Sequence, residues 1–163
     1  MAGVAGFDSL AYPGDTALQW LLANTNLKWC GYYLAPAPSR HTSPWLGTYA
    51  KVTGFGWHVV PIYVGQQAQG PGSHVVTAAQ GTIDGNDAAK LAKSEKIPAG
   101  TVIFLDIEQG PPIAQTALDY YKAWVDAVYA SDYYPGVYCS YLLAAKITAA
   151  LRNEFGGHAV KKS

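Results

Sequence analysis

Strand-like and helical segments alternate along the chain, predicting a parallel α/β fold of (β/α) TIM-barrel type, incomplete after the fifth βα unit. Three observations carry this. Five apolar runs of strand length recur within 163 residues, each followed by a loop or a helical pattern. The runs are apolar almost throughout, as strands covered on both faces are. No G-x-G-x-x-G follows the first run and no phosphate loop occurs, so a dinucleotide-binding doubly wound sheet loses its usual support. Right-handed crossovers leave an open doubly wound sheet or a closed barrel. A full eight-unit barrel takes about 250 residues. The expectation is therefore one domain, residues 1–163, that lacks the last strands of a barrel.

The elements follow in order. "VAGFDS" (4–9) reads as the first strand, and "DTALQWLLAN" (15–24) as a helix with Asp15 as its N-cap. "LKWCGYYLA" (27–35) is the second strand, "PAPSRHTSP" (36–44) a loop, and "PWLGTYAKVTG" (44–54) a short helix with a glycine stop. "WHVVPIYVG" (57–65) is the third strand. Residues 66–82 read as a long glycine-rich loop with one turn of helix, and "DGNDAAKLAKSEKI" (84–97) as a helix capped by Asp84 or Asp87. "TVIFLDIE" (101–108) is the fourth strand. In "IAQTALDYYKAWVDAVYA" (113–130), Ala117, Tyr120, Tyr121, Trp124, Ala127 and Val128 fall on one helical face. "YYPGVYCS" (133–140) is the fifth strand and "YLLAAKITAALRNEF" (141–155) the last helix, stopped by Gly156 and Gly157.

Composition narrows the function classes. Half of the residues are apolar, 13% are charged and the formal net charge is zero. Disorder is excluded on that balance, and so are a nucleic-acid surface and an electrostatic membrane anchor. No apolar stretch is long enough to span a bilayer. "MAGVAGFDS" has no charged n-region or apolar h-region, so no secretory signal is visible. Cys30 and Cys139 both lie in strand-like runs, where two buried free thiols are the default reading. Twelve tyrosines and five tryptophans are the compositional excess. They suit core packing, and they equally suit stacking on sugars, because each ring has an apolar face and a polar tip.

The chemistry concentrates at "TVIFLDIEQGPP" (101–112), where the most hydrophobic strand runs into two acids. Side chains alternate along a strand, so Asp106 and Glu108 share a face with Val102 and Phe104, about 6.6 Å apart at their α-carbons. Ile103, Leu105 and Ile107 take the opposite face, toward the helices. Asp8, in "GFDS", sits at the same end of the first strand, where parallel α/β folds collect their ligand and catalytic groups. Three readings stand for these acids. They are solvated or cap a helix; or they hold a divalent metal, which lacks a strand-end histidine; or they form a pair with split pKa values that serves glycosidic cleavage. The third is preferred, with no metal and no cofactor expected.

Several stretches in this order, "GFDS", "GYYLA", "PIYVGQQ", "GTIDGNDAAKLAKSEKIPAGTVIFLDIE" and "YPGVYCS", resemble the glycoside-hydrolase-like domains of the DUF1906 family. Those are barrel relatives of the family 25 glycoside hydrolases, the lysozyme-like muramidases. The resemblance covers residues 4–145 and implies a site at the barrel mouth. By it, Glu108 is the general acid, Asp106 is the partner that orients an acetamido group, and Asp8 matches the first-strand aspartate. Tyr33, Tyr63 and Tyr138, near the ends of strands two, three and five, would stack on or hydrogen-bond a sugar, and Gln66 would reach the same mouth. The implied partner is an N-acetylated glycan such as peptidoglycan, cut or merely bound, in a secreted or cell-wall setting. The family's barrel continues where this sequence ends in "GGHAVKKS". A chain cut short, a shortened relative, or a partner chain completing the barrel would each explain this. Exposed sheet edges would favour a homo-oligomer.

Overall fold

A computed structural model describes residues 3–34, 43–67, 75–107 and 109–155, with side chains up to residue 151. Its strands are β1 (Gly6–Phe7), β2 (Trp29–Tyr33), β3 (His58–Val64), β4 (Val102–Ile107) and β5 (Tyr134–Cys139). Its helices are α1 (Asp15–Asn24), α2 (Tyr49–Gly54), α3 (Ala78–Ser94), α4 (Gln115–Tyr129) and α5 (Tyr141–Phe155). All five strands are parallel and lie in the order β1-β2-β3-β4-β5. A doubly wound sheet reverses its strand order at a switch point. This sheet does not, so successive right-handed crossovers place every connecting helix on one face, as in a barrel wall.

The helix-covered face is the core. Ile103, Leu105 and Ile107 of β4 are at most 2% exposed, beneath the fully buried Tyr120, Trp124 and Val128 of α4. Burying each such branched side chain contributes about 1.5–3 kcal/mol. Tyr32 of β2 reaches the same layer. Its single hydroxyl proton lies between two acceptors, the Trp45 carbonyl oxygen at 2.6 Å and Glu95, whose Oε1 accepts from the Gly47 amide at 2.8 Å.

Two helix starts differ from the expectation. Gly14, at φ 90°, precedes α1, and Asp15 is the first helical residue. Its carboxylate takes the Tyr12 hydroxyl and the Lys51 ammonium instead of capping the helix. Helix α3 begins at Ala78, inside the expected loop, with Thr77 as N-cap accepting from the Gln80 amide. Asp84 and Asp87 are therefore interior helix residues and cap nothing. The glycines that suggested a loop have a packing role. A Cβ at Gly81 would stand 2.3 Å from the Tyr120 carbonyl oxygen, and one at Gly85 would stand 2.7 Å from the Trp124 carbonyl oxygen. Glycine is what lets α3 lie directly on the α4 backbone.

Candidate functional site

The strand register sorts the candidate residues by face. Asp106 pairs with Val64 on one side and Tyr138 on the other, and Phe104 pairs with Ile62 and Gly136. Tyr33 pairs with Ile62 in turn. Register partners in a parallel sheet point the same way, so Tyr33, Asp106 and Tyr138 share the face away from the helices. Two glycines confirm this assignment. A Cβ on Gly136 would meet the Phe104 ring at 2.7 Å, and one on Gly31 would meet the Asp8 Cβ and the Ile62 Cδ1, each at 2.8 Å. Asp8 therefore lies on the same inner face, against the Gly31 backbone.

Environments on that face differ. Asp106 is 3% exposed and Tyr33 6%, while Tyr138 is 52% exposed and Asp8 lies open to solvent. Phe104 is partly covered, and Tyr134 and Val102 are exposed toward the β5 side. Ser43 Oγ donates to the Tyr33 carbonyl oxygen at 2.6 Å, at the end of β2. Glu108, the expected general acid, lies outside the described residues.

Tyr63 is on the other face, contrary to the expectation for the mouth. It pairs with Leu105, is 6% exposed, and sits tilted 6.4 Å from the Trp124 ring. Its hydroxyl donates to Asp87 Oδ2 at 3.2 Å. Burial, followed by the nearby Asp84 and Asp87 charges, raises its pKa far above the ordinary tyrosine value. The phenol is thus held between sheet and helix, in the packing layer. Gln66 is half-buried just past β3. Its backbone amide donates to the Tyr120 hydroxyl at 3.0 Å, and its side-chain Oε1 is buried without a hydrogen-bond partner among the described residues.

Residues absent from the sequence-based site complete the picture. Tyr120 donates its hydroxyl to Asp84 Oδ2 at 2.6 Å, and Gln80 Nε2 donates to Asp84 Oδ1 at 2.7 Å. Both oxygens of this buried carboxylate are thus satisfied, as burial demands. Burial, then the Asp84 hydrogen bond, holds the Tyr120 phenol firmly protonated. Gln67 Nε2 donates to the Asp106 carbonyl oxygen at 3.0 Å and to the Gly65 carbonyl oxygen at 3.1 Å. One signal was legible beforehand. Gly81, Gly85, Ala88 and Ala92 recur at helical spacing with Asp84 among them, which marks a face pressed on another helix rather than a cap.

Comparison with known proteins agrees with this architecture. A crystal structure of an uncharacterized B. stearothermophilus protein, determined at 1.07 Å, superposes with a TM-score of 0.69 at 23% identity, over 93% of this chain and 70% of that one. At that identity the likeness concerns the fold. No curated protein matches the chain. The family model of the Rv2525c-like, glycoside hydrolase-like domain matches residues 20–159, which takes in Tyr33, Asp106 and Tyr138 but begins after Asp8. Over that span, with parallel βα units in consecutive order, the chain belongs to the Rv2525c-like glycoside hydrolase-like domain family.

Proposed function

We propose that the protein acts on an N-acetylated glycan such as peptidoglycan, cleaving it at the inner-face ends of the strands. One observation carries the reading: Asp8, Tyr33, Asp106 and Tyr138, from the end of β1, β2, β4 and β5, share one face of the sheet. In the hydrogen-bonded rows Asp8 falls beside Gly31, well before the level of Asp106. Barrel strands stagger by about one residue per strand. In a closed barrel, that stagger over the three steps from β1 to β4 would bring the two aspartates toward the same height.

In this reading Glu108 donates a proton to the glycosidic oxygen as that bond breaks. Asp106 orients the substrate's acetamido group, whose oxygen attacks the sugar carbon, and Asp8 supports the positive charge that develops there. Tyr33 and Tyr138 offer ring faces and hydroxyls to the sugar. Tyr63 has no part, because its hydroxyl is committed to Asp87 on the helix side.

A second reading, binding without cleavage, is favoured by the open β5 side. There Tyr134 and Tyr138 are 48% and 52% exposed, as sugar-stacking rings on a binding surface would be. Association of two copies would run along the same β5 side. The deciding assay incubates wild type and Glu108→Gln with purified peptidoglycan and chitin-type oligomers and reads new reducing ends by mass. Product from wild type alone supports cleavage. Retained oligomer without product from either supports the binding module. Neither product nor binding refutes both readings.

A further inference from the structure

We propose that Tyr120 is a positioning residue, setting Asp106 through a relay that runs Asp84, Tyr120, the Gln66 amide and the Gln67 side chain. The inference rests on the glycan reading for its functional meaning, but its geometry stands apart from it. Asp84 lies 6% exposed between α3 and α4, with Gln80 fixing one carboxylate oxygen and Tyr120 the other. The Tyr120 hydroxyl has one proton, which goes to Asp84, so its lone pairs face outward and accept the Gln66 N–H at 3.0 Å.

Gly65 makes the approach feasible. A Cβ there would stand 2.8 Å from the Tyr120 hydroxyl and 2.6 Å from Leu105 Cδ1. The chain leaving β3 is thereby held against α4 rather than left to drift. The next residue, Gln67, spans from this anchored turn to β4, its amide nitrogen lying between the Gly65 and Asp106 carbonyl oxygens at 3.1 and 3.0 Å. Loosening the first bond is expected to loosen the last. Asp106 sits at the strand end, where the ladder to β3 closes with the Val64–Asp106 pair. Beyond that pair, the Gln67 side chain bonds the Asp106 carbonyl oxygen across the two strands.

The test compares wild type, Tyr120→Phe, Asp84→Asn and Gln67→Ala. Tyr120→Phe keeps the ring and removes the hydroxyl. Asp84→Asn keeps an acceptor for that hydroxyl, with the Gln80 amide free to turn over. The substrate-independent readout is the ¹³C titration of the Asp106 carboxyl, assigned by its loss in Asp106→Asn. Tyr120→Phe and Gln67→Ala are expected to move its midpoint by about half a pH unit or more, with Asp84→Asn close to wild type. On the glycan substrate, Tyr120→Phe is expected to lower kcat about tenfold or more with KM little changed, as misplacement of a reacting group does. A purely structural Tyr120 would lower the melting temperature and leave the titration in place, and that result overturns the proposal. A displaced titration without turnover in wild type upholds the relay and refutes the cleavage reading. Should Tyr120→Phe fail to fold, Gln67→Ala alone decides, and an unmoved midpoint there overturns the relay.

Discussion

Replacing Gly81 by alanine sets two physical effects against each other, and the structure says which one wins. In a helix interior, alanine is preferred to glycine by about 1 kcal/mol, so propensity alone makes Gly81→Ala stabilising. The added methyl would lie 2.3 Å from the Tyr120 carbonyl oxygen and 3.1 Å from the Ala123 Cβ. The oxygen belongs to the α4 backbone and cannot rotate aside, so relief requires α3 and α4 to separate by roughly 1 Å. Overpacking of this kind costs about 1–3 kcal/mol, and a rigid backbone obstacle belongs at the upper end. The expected net loss is about 2 kcal/mol, or roughly 4–8 °C in Tm for a chain of this size. Urea denaturation would show a lower midpoint at unchanged slope. Gly54, which ends α2 with nothing within 4 Å of an added Cβ, is the control, and Gly54→Ala should change stability by less than about 0.5 kcal/mol. An unchanged or raised midpoint for Gly81→Ala would refute the close helix contact, and with it the account of why α3 carries glycines at all.

Two further outcomes follow from local electrostatics and burial. Hydrogen bonding from Tyr12, then from Lys51, holds the Asp15 carboxyl below the usual aspartate range. Its folded pKa is thus lower than its unfolded one, so its stabilisation is complete above about pH 4 and is lost as pH falls through the folded value. Asp15→Asn should flatten that part of the acid limb in denaturation curves, and an unaltered limb would count against the pairing. Cys30 is fully buried, and burial pushes its thiol up to about 12. Alkylation at neutral pH followed by peptide mass mapping should leave Cys30 unmodified until the protein is unfolded, with the partly exposed Cys139 labelled first.

The alternation of elements was legible in the sequence because each strand is a compact apolar run between turn residues. The face of β4 was legible too, since Ile103, Leu105 and Ile107 on one side and Asp106 on the other differ in chemistry. β3 offered no such contrast. "HVVPIYV" is apolar on both faces, so nothing in its pattern told which way Tyr63 points, and a one-residue change of register would reverse it. The adjacent Tyr32 and Tyr33 make the same point. One donates to Trp45 among the helices, and the other faces inward beside Ile62. The start of α3 was read as a loop because Gly81 and Gly85 look like loop punctuation singly; only their spacing with Ala88 and Ala92 marks them as helix-contact residues.

The acids near the strand ends therefore divide into two kinds. Asp84 and Asp87 each receive a tyrosine hydroxyl within the helix–sheet layer, so both are engaged in holding β3 and α4 against α3. Asp8 and Asp106 lie across the sheet from them, on the face away from the helices. The division has a kinetic consequence. If Asp106 touches the substrate as proposed, Asp106→Ala should depress binding and turnover together. A change at Tyr120 reaches the substrate only through the position of Asp106, so it should spare binding and slow turnover. If both substitutions gave the same profile, the two faces of the sheet would not be doing different work, and the assignment of Asp106 to the mouth would fail with it.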